Sequence, residues 1–332
     1  MGSRTWNSSS AAQLMSPTGQ PLGQSPLIGM RRAKPSAWAA EVGAGVFRYR
    51  AGPFVVQLRT GIRALQRLLR WCYGRAEAPP ADAFVHLNLR VDRGPLYRRL
   101  LAPQAVFRFE HRTPFEPYPE DHAFPLLEWG TNWCIAERGH RFLMLHAGVL
   151  ERGGRALILP ALPGSGKTTL TAALAFRGWR FLSDEFALVD GDRGLIHPLP
   201  RAAPLKNRSI EVIRAFAPEA EIGPVFERTR KGDVAHLRPP ADALARQLEP
   251  AEPAWILFPR FIAGQALRVQ RLSHEIAFTR LAQNSFNYRL LGVVGFERLT
   301  GMVRRCACFS ATYGDLEAIV AAVDRLLPAA EH

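Results

Sequence analysis

Lysine is almost missing from this chain. Of 43 basic residues in 332, only Lys34, Lys167, Lys206 and Lys231 are lysine. Cysteine is scarce as well: Cys72, Cys134, Cys306 and Cys308 are too few and too scattered for a disulfide framework, and none has the C-x-x-C spacing of zinc or redox motifs. No stretch reaches ~18 uncharged apolar residues, and residues 1–20 lack the apolar segment of a secretory signal, so a cytoplasmic protein with no membrane partner is expected. A formal charge of +14 would suit nucleic acid, but the arginines are spread without a dense run or an interleaved aromatic stripe, and no nucleic-acid partner is expected. Where arginine stands for lysine nearly everywhere, a surviving lysine is a candidate for one that chemistry requires, and three of the four fall in candidate site segments. Hydrophobic residues at 47%, charged residues at 22% and a mean hydropathy of −0.08 describe an ordinary globular chain, long enough for about two domains.

Residues 1–35, with Asn7-Ser8-Ser9-Ser10 and several Gly and Pro, read as a disordered leader. Residues 36–118 read as a small α+β module. Its strands are Phe54–Leu58, Phe84–Leu89 and Ala105–Phe109, and Ile62, Leu65, Leu68 and Leu69 have helical spacing. The proline-rich stretch Thr113–Pro125 reads as a linker into a third region, 119–330. There a helix over Leu126–Ala136 precedes two apolar runs, Phe142–His146 and Ala156–Leu159, joined by a hairpin at Gly153-Gly154. Cys306-Ala307-Cys308-Phe309 reads as a strand, Asn284–Tyr288 as the polar end of a helix, and Asp315–Leu327 as a closing amphipathic helix.

Ala161-Leu162-Pro163-Gly164-Ser165-Gly166-Lys167-Thr168 fits a phosphate-binding loop in all but its first position. An apolar strand leads into it, and Thr169–Phe176 continues as a helix ending near Gly178. Pro163, Gly164, Ser165, Gly166, Lys167, Thr168 and Thr169 are therefore the candidate ATP-binding residues. Glycines turn backbone N–H groups inward at a helix N-terminus, Lys167 reaches the β- and γ-phosphates, and the Thr168 hydroxyl ligates Mg²⁺. The short strand Trp179–Leu182 delivers Asp184 and Glu185 to the same end of the sheet. Two further segments are candidates for substrate contact. Lys206, Asn207 and Arg208 precede a helix read as Ser209–Phe216 with Ser209 as its N-cap, and Lys231 lies in a stretch between Pro224 and Pro239 that reads as a lid loop.

His146-Ala147-Gly148-Val149, Gly164-Ser165-Gly166-Lys167-Thr168, Arg177-Gly178 and Asp184-Glu185 together resemble the catalytic domain of the HPr kinase/phosphorylase family. Leu127-Glu128-Trp129-Gly130 and Leu205–Ile210 narrow the resemblance to the HprK-related kinase A group. The resemblance covers roughly residues 120–328 and implies an α/β fold of the HPr-kinase/PEP-carboxykinase-like P-loop kind, with ATP and Mg²⁺ as cofactors. It also implies transfer of a phosphoryl group to a hydroxyl, first to a Ser or Thr of a small protein or peptide and second to a small-molecule alcohol, and it hints at a homo-oligomer. Carried over by position, Asp184 takes the acceptor's proton, Glu185 stands on the metal side, and His146 lies beside the phosphates. Lys206-Asn207-Arg208-Ser209 stands where the family has Glu-Ile-Arg-Gly, so an ammonium replaces a carboxylate, and only the kinase half of the family's chemistry carries over. The reading from another class is a nucleotide-dependent switch that binds ATP without transfer.

Overall fold

The computed structural model describes residues 45–98, 101–162 and 164–327. The leader expected over residues 1–35, and Pro163, lie outside the described residues. The described chain is α/β, with three sheets and helices packed around them.

The first sheet holds β1 (Val46–Ala51), β2 (Phe54–Thr60), β3 (Leu87–Arg93), β4 (Gln104–Phe109) and β5 (Tyr118–Pro119), in that spatial order. Strict alternation in β3 and β4 puts Leu89, Val91, Phe107 and Phe109 into a core against α1 (Arg63–Tyr73) and α2 (Ala123–Arg138), which follows the sheet. Phe84 stays outside β3 and exposed, because pairing with β2 begins at Leu87. The stretch expected as a linker is largely built: Tyr118 pairs with Ala105, and Pro125 lies in the first turn of α2. Proline is accepted at both places, on an edge strand and where a helical N–H has no partner to lose. The buried cluster continues into Phe142, Met144, Phe186 and Leu188, so the first sheet shares its core with the second.

The second sheet comprises eight strands: β6 (Leu143–Arg152), β7 (Arg155–Pro160), β8 (Arg180–Ser183), β9 (Phe186–Val189), β10 (Ile196–His197), β14 (Glu252–Phe261), β15 (Arg268–Arg271) and β16 (Ala307–Tyr313). β7, β14 and β16 run parallel side by side, which brings their C-terminal ends to one rim. β6 is antiparallel to β7 and also pairs with β8 and β9 in turn, so Asp184 and Glu185 form the bend between two strands on one ladder. Helix α3 (Lys167–Ala175) packs on β6, and Gly148 permits the approach: a Cβ there would collide with the Thr171 hydroxyl.

The third sheet has the order β11 (Ala203–Lys206), β13 (Gly232–Leu237), β12 (Ile222–Thr229). The expected lid loop is therefore a hairpin with Lys231 at its turn, and Pro224 sits on an edge strand. Helix α4 (Arg208–Phe216) begins after Asn207, not at Ser209, whose hydroxyl instead bonds the backbone of Lys206. Helices α5 (Ala241–Ala245), α6 (His274–Gln283), α7 (Tyr288–Leu291), α8 (Val293–Arg305) and α9 (Leu316–Leu326) complete the described chain. None of the described helices is long and apolar enough to cross a membrane.

Candidate functional site

The loop after β7 turns through Gly164 and Gly166, both at φ +84°, a conformation in which an L side chain would be strained. Gly166 caps α3, so the first-turn N–H groups of the helix point into the loop, where an anion is favoured. The loop is moored to the parallel strands by the Phe261 N–H, which donates to the Ser165 carbonyl at 3.0 Å. The Ser165 hydroxyl is buried with no hydrogen-bond partner, an unsatisfied polar group within the loop. A cavity of about 580 Å³ opens beside it, walled by Leu162, Phe258, Phe261, Arg280, Asn284 and Thr312. The Arg280 guanidinium lies 5.4 Å over the Phe258 ring.

Lys167 and Thr168 both reach Asp184. The Lys167 ammonium donates to the Asp184 carbonyl and, at 3.2 Å, to its Oδ1, while the Thr168 hydroxyl donates to Oδ2 at 2.7 Å. Asp184 is only 4% exposed, and burial raises its carboxyl above the ordinary range against the pull of Lys167. Glu185, its neighbour, is the more open of the two. Its side chain is 27% exposed and lies 3.6 Å from His146 Nδ1. Burial alone would raise its carboxyl, but Lys167, His146, Lys206 and Lys231 hold it below the usual value.

His146 is fixed at both ends. Its backbone N–H donates to the Asn284 carbonyl at 2.9 Å, and the Asn284 amide donates back to the His146 carbonyl at 2.8 Å. Burial, then the Lys167 charge, lowers its imidazole below the ordinary value. The segment 284–288 thus stays on β6 as a brace: Asn287 bonds both the Met144 N–H and the Phe142 carbonyl.

Of the expected residues, His146, Lys167, Thr168, Asp184 and Glu185 meet at one point, and Lys206 and Lys231 approach it through the charge of Glu185. Thr169 lies in the first turn of α3, one step along from that point. Asn207 faces the β12–β13 hairpin, where its Oδ1 accepts from the Asp233 N–H at 3.0 Å, and Arg208 is exposed at the start of α4. Trp129, named in the sequence only within a resemblance motif, has its ring 5.0 Å from the Lys231 ammonium, and the cavity wall of Phe258 and Arg280 was not expected at all. The wall has no motif of its own; it follows from the parallel register of β7, β14 and β16.

Among the described residues no three His, Cys, Asp or Glu side chains cluster tightly enough to hold a metal unaided. A hydroxyl and a carboxylate 2.7 Å apart nonetheless suit Mg²⁺, which keeps several waters and takes one or two protein oxygens plus phosphate oxygens. Set against known proteins, the chain matches no family model and no curated protein.

Proposed function

We propose that this chain is an ATP- and Mg²⁺-dependent phosphotransferase acting on a hydroxyl, with a P-loop kinase site of the HPr-kinase-like kind. A single observation carries the reading: a strand–loop–helix phosphate cradle whose Lys167 and Thr168 both engage the buried Asp184 at the bend of the adjoining strand pair. The first acceptor in this reading is a Ser or Thr of a small protein or peptide, as the family resemblance implies.

The acceptor oxygen attacks the γ-phosphorus and forms the new O–P bond. The bond from that phosphorus to the β–γ bridging oxygen breaks, ADP leaves with the electron pair, and the hydroxyl proton passes to a carboxylate. Backbone N–H groups of the loop and Lys167 neutralise the transferred group. Thr168 and Asp184 would hold Mg²⁺, which would supply further charge neutralisation. The geometry supports an exchange of the two carboxylate roles carried by the resemblance. Asp184 is buried with both carboxylate oxygens bonded by Lys167 and Thr168, whereas Glu185 is partly open beside His146 and can meet an incoming hydroxyl. Glu185 is therefore the proton acceptor and Asp184 the metal-side residue.

The test is incubation of the purified protein with γ-labelled ATP, Mg²⁺ and cell lysate, with Glu185→Gln and Asp184→Asn variants alongside. A labelled product lost in both variants is expected. Tight ATP binding with no transfer in any fraction would replace the kinase reading with that of a nucleotide switch.

A further inference from the structure

Two of the four lysines, Lys206 and Lys231, lie near enough for their charge to act on Glu185. Lys206 is the last residue of β11, and Lys231 stands at the turn of the β12–β13 hairpin. Asn207 ties the two segments together: its N–H donates to the Asp233 carbonyl at 2.8 Å and its Oδ1 accepts from the Asp233 N–H at 3.0 Å, at a backbone φ of +48°. A non-glycine residue held at positive φ marks a corner whose shape the fold enforces. Neither ammonium forms a hydrogen bond or an ion pair within 4.0 Å of a described carboxylate; Lys231 rests instead over the Trp129 face. The two ammoniums repel one another, partial burial and then Lys206 lower the Lys231 ammonium below its ordinary value, and Glu185 is the carboxylate that opposes them. The N-terminus of the nine-residue α4 opens beside Lys206 without a side-chain cap and adds to the positive field.

Two cations brought to one carboxylate leave a positive surplus, and a hydrophobic wall at Trp129 gives that surplus a shape. We propose that Lys206 and Lys231 form a seat for an anionic group, carboxylate or phosphate, carried by the same molecule whose hydroxyl meets Glu185. The proposal rests on the phosphotransferase reading for the identity of that hydroxyl, while the seat itself is testable by binding alone. Its consequence for substrate class is specific: neutral alcohols are poor acceptors, and a Ser or Thr is taken when an anionic group accompanies it.

Isothermal titration calorimetry on the full chain, saturated with ADP and Mg²⁺, tests this with two pairs of probes: N-acetylserine against its neutral amide, and glycerol 3-phosphate against glycerol. At least one anionic probe is expected to bind about tenfold or more tightly than its neutral partner, with that advantage lost in both Lys206→Met and Lys231→Met and restored in Lys231→Arg. The carboxylate and phosphate pairs tell which anion fits. Thermal unfolding of each variant checks that the fold is intact, and quenching of fluorescence by the probe, absent in Trp129→Phe, places it at the seat. Equal binding of charged and neutral probes, no binding of either anion, or an advantage that survives both Met substitutions would overturn the proposal. Failure of the kinase reading would look different: anion binding would remain while no labelled product formed.

Discussion

Asp184 and Glu185 are adjacent in the chain and live in opposite surroundings. Asp184 is closed in, with one oxygen bonded by Lys167 and the other by Thr168. Glu185 lies beside His146 and shares the charge of Lys167 with Asp184, but it also feels Lys206 and Lys231. The bend between β8 and β9 carries both residues and leaves the Glu185 side chain more open than that of Asp184. In the proposed function one side takes the nucleotide and its metal, and the other takes the molecule that receives the phosphoryl group.

Substitutions that keep shape and remove charge break the comparison most sharply. Glu185→Gln is expected to reduce transfer by about 10²–10⁴-fold while Mn²⁺ binding in the presence of an ATP analogue, read by electron paramagnetic resonance, stays within about threefold. Asp184→Asn is expected to do the reverse to the metal, weakening Mn²⁺ binding by about 10–100-fold. If Asp184→Asn spares the metal and Glu185→Gln releases it, the roles revert to those implied by family resemblance.

The nucleotide side was the more legible in sequence, and the reason is physical. A phosphate cradle needs glycines, a lysine and a hydroxyl at fixed spacing along one continuous strand–loop–helix, so Gly164 to Thr168 announce themselves locally. The side proposed for the acceptor draws on α2, β11 and the β12–β13 hairpin, which are distant in the chain and meet only in the fold. Two prolines hid part of it. Pro224 and Pro119 read as breakers, yet each sits on an edge strand, where a missing N–H costs no ladder bond. The hairpin's inward residues, Val234 to Leu237, are all buried, but Lys231 and its charged neighbours at the turn dominated the reading of that segment.

Behind the acceptor side, His236 supplies a smaller test. It lies on β13, 5.0 Å from the Phe124 ring and 6.0 Å from that of Phe226, and neither ring nitrogen has a hydrogen-bond partner. Burial, then the charges of Arg201 and Lys206, pushes its imidazole down from 6.5 to about 3. Between those values the unfolded chain binds a proton that the folded one refuses, so stability is retained above pH 6.5 and lost as pH falls through the window. The slope reaches about 1.4 kcal/mol per pH unit, since one proton separates the two states. Urea midpoints of the wild type and of His236→Phe should therefore diverge as pH is lowered, with the wild type losing stability faster. Parallel loss in both would mean that this imidazole is protonated in the folded state, and the apolar packing behind the hairpin would need another account.

Asn207 gives the smallest effect and separates two causes that the open side combines. Its backbone at φ +48° and ψ −127° is costly for a residue with a Cβ, while its side chain repays part of that cost through the bond from the Asp233 N–H. Asn207→Ala loses the bond and keeps the strain, and should destabilise by about 1 kcal/mol in chemical unfolding. Asn207→Gly loses the same bond but relieves the strain, so its stability should stay within about 0.5 kcal/mol of the wild type. Both variants remove one of the two Asn207–Asp233 bonds between the hairpin and the end of β11, and in both the preference for an anionic probe should weaken even where stability is kept. If Ala and Gly cost the same, the hydrogen bond alone shapes the corner. If Gly keeps both stability and anion preference, the corner is held by the β11–β13 ladder itself, where Lys206 faces Val234 and the strand pairing needs no help from the side chain before the helix.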